Sequence, residues 1–395
     1  MQRILPLLMG TTTRDADTRR AVGTFFFLQG FIFATWGTRI PHVQQALGLG
    51  EAALGAVLAA LPAGMLLSLP VAGWAVGRFG SRTVAAWASP AYAAILVVIG
   101  TARAPWQLAA VLFCFGVAGN FHTIAINTQA VGVEARYRRS IMAAFHGLWS
   151  LAGFLAASLG TYFIALRMST LAHLAVGAAV AVALYSVAHR YLLAQDVGQD
   201  TQRPPFVWPD APLRWLSAVA FCGMVCEGAM FDWSGVYFQT VVRPDARLVT
   251  LGYVAYMATA SGGRFVGDWL ANRLGVRLLL RINGILIACG LLLSVSFPHV
   301  VTATIGFLIV GAGTSTVVPM LYSLAGRSDT LAPGMAIAAV SSVGFLGFLL
   351  GPPLIGFLAE GIGLRWAFAG IAVLGSGIAL LIERVPGRGL AFAGE

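Results

Sequence analysis

Glu227, Asp232 and Arg39 are charged side chains set inside long apolar stretches of this chain. A charge in hydrocarbon costs about 2.5–3.5 kcal/mol on insertion scales, so each marks function by default. Glu227 falls near the middle of the apolar run 213–241, where a carboxyl can take up a proton from one side of a barrier and release it to the other. Asp232 stands five residues further on. Five helical steps of about 100° set the two acids roughly 140° apart, so both face one cavity only if Gly228 and Gly235 let the helix break. We read both as proton-coupling candidates, with Glu227 the carrier and Asp232 expected to pair with Arg39 at the outer end of the first run.

A second group of residues has the chemistry to hold a polar solute. Asn120, Thr123 and Asn127 are spaced three and four apart and share one helical face, a stripe of hydrogen-bonding groups suited to a hydroxyl-rich ligand. His122 and Gln129 fall on nearly the opposite face, which directs His122 towards a neighbouring helix. Gln29 and Trp36 are seven residues apart on one face of the first run, and Trp233 holds a comparable place in the seventh. Aromatic rings beside amides and carboxyls suit the two faces of a sugar, although tryptophans also anchor helix ends at a membrane interface. His146 and Trp149, early in the fifth run, are weaker candidates for the same role.

The elements that must carry these residues are membrane helices. The chain is 58% hydrophobic and 10% charged over 395 residues, which leaves too little polar surface to cover a soluble fold. Apolar runs of membrane-spanning length occur near 20–41, 53–77, 83–101, 105–131, 140–165 and 170–192, then 213–241, 249–271, 276–297, 300–326, 333–360 and 364–384. We expect twelve transmembrane helices in two sixes, spanning 1–193 and 213–395. The polar, proline-rich segment 194–212 between them reads as a cytoplasmic linker. The short apolar stretch Ile4 to Met9 gives way to polar sequence, so no signal peptide is expected.

The net charge of +10 does not indicate a nucleic-acid partner, because the arginines cluster between the apolar runs. They gather on the side of the termini, as at Arg19, Arg20, Arg78, Arg82, Arg136, Arg190, Arg273, Arg277 and Arg384, whereas the other side holds Arg103, Arg167, Arg243, Arg247 and Arg365. Both termini are therefore expected in the cytoplasm. Cys114, Cys222, Cys226 and Cys289 lie inside apolar runs with no metal or haem spacing and are expected to pack as small hydrophobes. Gly351 to Gly356, with Pro352 and Pro353, reads as a pivot.

One short pattern occurs twice. GWAVGRFGSR from Gly73 and DWLANRLGVR from Asp268 match at Trp74/Trp269, Arg78/Arg273, Gly80/Gly275 and Arg82/Arg277, the mark of two homologous halves. Twelve helices with a G-x-x-x-x-R-x-G-x-R loop after the second resemble the major facilitator superfamily over nearly the whole chain. The segments 33–41, 126–153, 227–238, 318–327 and 344–360 further resemble its MosC/YbjJ-like branch, related to fucose-permease-type sugar transporters.

That resemblance implies an all-helical fold of two pseudo-symmetric six-helix bundles whose first, fourth, seventh and tenth helices line a cavity. It also implies a monomer in a bacterial inner membrane. Glu227, Asp232, Gln29, Trp36, Arg39, Asn120, Thr123, Asn127 and Trp233 then face or flank the cavity, and Arg78, Arg82, Asp268, Arg273 and Arg277 act in gating. The acid that the family places just before the loop's first arginine is replaced by Gly77 and Asn272, with Asp268 partly restoring it in the second copy.

The implied activity is secondary transport of a small polar solute, a sugar, inositol-like polyol or related metabolite, with a proton. An exporter of amphipathic drugs or organic ions is the alternative within transport, and a non-transporting solute sensor the alternative outside it. There is no phosphate-binding loop, metal-ligand cluster or nucleophile–base set, so neither an enzyme nor a bound cofactor is expected.

Overall fold

A computed structural model of the chain describes residues 13–137, 141–196, 211–328, 331 and 333–385. The central part of the expected linker 194–212 lies outside the described residues. The first half holds α1 (Thr13–Gly37), α2 (Ile40–Leu47), α3 (Glu51–Leu58), α4 (Ala60–Phe79), α5 (Ser81–Ile99), α6 (Pro105–Tyr137), α7 (Met142–Ala165) and α8 (Thr170–Ala188). The second holds α9 (Ala211–Tyr237), α10 (Leu251–Leu274), α11 (Val276–Ser296), α12 (Val300–Thr314), α13 (Val317–Ala325), α14 (Pro333–Ile362) and α15 (Leu364–Leu381). Among the described residues there is no strand.

Prolines explain why three crossings are each cut in two. A proline ring clashes with the carbonyl four residues earlier. Pro41 bears on Gly37, where α1 ends; Pro62 bears on Leu58, where α3 ends; Pro319 bears on Ser315, just beyond α12. Pro352 and Pro353 do not act in this way, because α14 runs through both without a break. Likewise α9 is continuous through Gly228 and Gly235, so the helix break that would turn both acids to one cavity is not made.

Eleven helical segments among the described residues are long and apolar enough to cross a membrane. The exception among the twelve expected is α10, long enough at 24 residues but carrying Arg264, Asp268 and Arg273. The helices pack as two like sets. In the first, α1 packs on α7 and α8, α6 on α4 and α5, and α5 on α8. In the second, α9 packs on α14 and α15, α12 on α10 and α11, and α11 on α15. Each contact has its counterpart one half further on, so the fold is the expected pair of six-helix bundles.

The repeated loop shows the same correspondence at atomic level. Gly80 closes α4 at φ 82°, ψ 149°, and Gly275 closes α10 at φ 78°, ψ 147°, a region open essentially only to glycine. Arg82 donates to the Arg190 carbonyl at 3.2 Å and Arg277 to the Val385 carbonyl at 2.5 Å, each just past the last long helix of its own half. An acid from beyond the last long helix meets the turn in each copy: Glu383 lies 3.9 Å from Arg277 in the second, and Asp196 serves the first. Asp196 accepts from the Ser81 amide at 2.8 Å and from its hydroxyl, capping α5.

The halves meet along two seams. α7 runs beside α10, and α14 runs beside α3 while touching α4 only sparsely. We name the two membrane sides by the chain: the terminal side, where α1 begins and α15 ends, and the far side. On the far side the seam is shut. Gly55 and Gly356 bring α3 and α14 into backbone contact, Pro41 lies against Gly235, and Gln239 donates to Gln45 at 3.4 Å. Towards the terminal side Val71 and Trp74 of α4 and Phe265 and Trp269 of α10 are exposed.

Candidate functional site

The polar centre of the molecule lies on the α7–α10 seam. Arg264 of α10 forms an ion pair with Glu227 of α9 at 2.8 Å, with the two side chains 20% and 12% exposed. Its second terminal nitrogen donates to Ser150 Oγ of α7 at 2.7 Å. Ser261, one turn earlier on α10, donates to the Ser150 carbonyl at 2.7 Å. The guanidinium lies 5.3 Å from the ring centre of Trp149. A single arginine thus ties the acid of the second half to the Ser150 hydroxyl and the Trp149 indole of the first.

Aromatic side chains surround this pair. Trp149 packs edge-on or tilted against Phe231 and Phe33, each at 6.3 Å, and Phe33 meets Phe231 at 5.4 Å. Phe231 in turn meets Tyr256 at 5.6 Å and Tyr253 at 6.5 Å. Helices α1, α7, α9 and α10 therefore contribute rings to one cluster. Tyr256 and Tyr322 lie within electrostatic reach of Glu227, and His146 lies within reach of Arg264. A low-dielectric surround strengthens the ion pair and makes an unpaired partner costly.

The residues picked out from the sequence divide into those near this centre and those held elsewhere. Gln29 donates to Thr123, linking α1 to α6, and Asn127 donates to the Thr123 carbonyl at 2.8 Å. Gln29 is one turn from Phe33 on α1, which brings the amide to the edge of the aromatic cluster. Asn120 leaves the stripe: it is buried in the α4–α6 contact and donates to Ser68 Oγ at 2.9 Å. His122 contacts Ser89 Oγ at 2.9 Å and the Phe25 carbonyl at 3.2 Å, facing neighbouring helices as its position suggests.

The expected pairing of Asp232 with Arg39 is not formed. Arg39, 2% exposed, donates through Nε to His173 Nδ1 at 2.8 Å and through a terminal nitrogen to the Met168 carbonyl at 2.9 Å. The break between α1 and α2 turns its side chain into its own half. Asp232 lies within electrostatic reach of Tyr253 instead. Trp36 and Trp233 are 2% and 0% exposed, so in this conformation both rings are packed rather than presented to a cavity. Trp233 Nε1, Ser234 Oγ and Tyr253 OH are buried without a protein partner.

Of the gating candidates, Arg82 and Arg277 brace helix ends within their own halves, while Arg78, Asp268 and Arg273 are exposed. Arg273 lies over Trp269 at 4.6 Å. Arg264, the centre of the site, is not singled out by the sequence reading. The signal was an arginine inside the eighth apolar run, 249–271, the same criterion that selects Glu227.

Two like-packed bundles meeting at a charged centre within the membrane are the architecture of a transport protein. The Major Facilitator Superfamily model matches residues 22–331, and the chain belongs to that family. It is 30% identical to an uncharacterised MFS-type transporter of Yersinia pestis, over 92% of this chain and 93% of that protein. It is also 30% identical to the membrane protein MosC of Rhizobium meliloti, over 91% and 88%. Among solved structures it resembles a bacterial homologue of the human lysosomal transporter Spinster in an inward-facing, occupied conformation. That match has a TM-score of 0.78 at 13% identity and covers 98% of this chain and 100% of that one. The nucleoside transporter NupG superimposes with a TM-score of 0.74 at 13% identity, over 93% and 99%. The protein is thus a multi-pass membrane transporter of the major facilitator fold.

Proposed function

We propose that this transporter carries a small polar solute of the sugar, polyol or related hydroxylated class together with a proton, by alternating access. The Arg264 contact carries the reading: one guanidinium holds Glu227 in the second half and Ser150 in the first. Protonation of Glu227 removes the charge that orients Arg264, and Arg264 is the side chain that bonds Ser150 across the seam between the halves. Proton loading is thereby linked to relative movement of the two bundles, the coupling a symporter needs. Gln29, Thr123 and Asn127 supply hydroxyl-binding groups on the first half, and Trp149 and Phe231 supply apolar faces. Asp232 is the second acid available to the cycle.

In this scheme residues 1–193 and 213–395 are the two moving halves, joined by the 194–212 linker, in a bacterial inner membrane with both termini in the cytoplasm. The shut far side then corresponds to an inward-facing state. The test is uptake into proteoliposomes under an imposed pH gradient, with a panel of sugars and polyols, for the wild type and Glu227→Gln. Gradient-driven accumulation is expected for the wild type and not for the variant. Accumulation that survives the substitution would remove Glu227 from the coupling step.

A further inference from the structure

Arg264 sets a charge requirement at this site that a neutral solute does not meet. A guanidinium stays protonated in a protein, so the site holds one positive charge through the whole cycle. With Glu227 ionised the pair is neutral. Once Glu227 accepts a proton, the cation needs another anion or remains uncompensated in a low-dielectric surround, which is strongly unfavourable.

The groups around it do not supply that anion. Tyr256 lies on α10 itself, Tyr322 on α13 and His146 on α7, and none of the three is a carboxylate. Asp232 is five residues from Glu227 and set around the helix towards Tyr253. Asp268, one turn along α10, is exposed, and neither acid forms an ion pair with Arg264. The guanidinium also presents a flat, directional fork, already used against Glu227 and Ser150, with its face on Trp149. Such a fork matches a carboxylate better than it matches a hydroxyl.

We infer that the solute is a hydroxylated monocarboxylate, whose carboxylate takes the place of Glu227 on Arg264 when Glu227 is protonated. The inference rests on the transport reading for its cycle but on the Arg264 geometry for its chemistry. The exchange balances: the proton arriving from the far side goes to a Glu227 carboxylate oxygen, the Glu227–Arg264 contact breaks, and the Arg264–solute contact forms. The site stays neutral before and after. Gln29, Thr123 and Asn127 are left to read the hydroxyls.

The experiment measures binding of gluconate, glucuronate, glucose and myo-inositol to the purified full chain by calorimetry, for wild type, Glu227→Gln, Arg264→Gln and Arg264→Lys. Glu227→Gln stands in for the protonated acid. Gluconate or glucuronate should bind it at least about tenfold tighter than the wild type. Arg264→Gln should abolish acid binding, and Arg264→Lys, which keeps charge without the fork, should weaken it. If Arg264→Gln does not fold, the lysine variant carries the comparison. Equal or tighter binding of glucose or myo-inositol, acid binding indifferent to both Arg264 variants, or no acid binding at all overturns the inference.

Uptake separates this outcome from that of the transport reading. Glu227-dependent accumulation of glucose or myo-inositol keeps that reading and sinks this one. Arg264-dependent gluconate binding without gradient-driven uptake does the reverse.

Discussion

The closed far side can be strained open at one atom. A Cβ at position 55 would lie 2.5 Å from the Pro352 carbonyl oxygen and 3.1 Å from Gly356 Cα, both backbone atoms that cannot rotate away. Gly55→Ala must therefore push α3 from α14 or accept the overlap. Overpacking of this kind costs about 1–3 kcal/mol. The penalty falls on the far-closed arrangement, where the helices touch, and not on one in which they separate. The gain in helix propensity from alanine applies to both states and cancels. The equilibrium should accordingly move towards the far-open state by about 5–150-fold.

Gln45 and Gln239 report that movement, because they bond across the far side at 3.4 Å. With the four native cysteines replaced by serine and both glutamines replaced by cysteine, cross-linking with a short bis-maleimide should proceed readily in the parent and fall sharply with Gly55→Ala. Gly73→Ala is the control, since a Cβ there meets nothing within 4 Å. Unchanged cross-linking in a folded Gly55→Ala protein would show that the α3–α14 contact does not hold the far side shut.

Three further outcomes follow from particular contacts. Gly80→Ala and Gly275→Ala should each lower stability by about 1–3 kcal/mol, read as a drop in Tm in detergent, because φ of 82° and 78° with ψ near 150° excludes a side chain; equal Tm to the parent would refute the strain. Asp196→Ala should cost about 0.5–2 kcal/mol by uncapping α5, read as a drop in Tm in detergent; an unchanged Tm would refute the cap. Asn120→Ala should cost about 1 kcal/mol of stability through the lost bond to Ser68 and leave the KM for solute unchanged; a raised KM would return Asn120 to the binding face.

The crossings and their twofold repeat were legible in the sequence because hydrocarbon and backbone geometry tolerate few substitutes. Long apolar runs are obligatory for a spanning helix, and a turn near φ 80° selects glycine, so Gly80 and Gly275 mark equivalent points. Glu227 stood out for the same reason, as one of two carboxyls in an apolar run where carboxyls are costly. Arg264 obeys that criterion equally well, but its run leads into Asp268, Arg273 and Arg277, and the arginines there describe a loop. Its significance comes from Glu227, 37 residues away, and from Ser150 in the other half, relations that no local pattern contains.

The polar stripe on α6 shows the general limit. Spacing fixes the angle of a side chain around its own helix and says nothing of the element it meets. Asn120 and Thr123 share a face, yet α4 approaches one turn of α6 closely enough to seal Asn120 against Ser68, while α1 brings Gln29 to Thr123. Arg39 is the same case at the far side: Pro41 ends α1 at Gly37, and the turn that follows delivers the guanidinium to His173 instead of across the interface. A charge or amide in an apolar run thus announces that it needs a partner, and the tertiary packing alone decides whether that partner is another helix, and so a fixed seam, or a group that moves, and so a site.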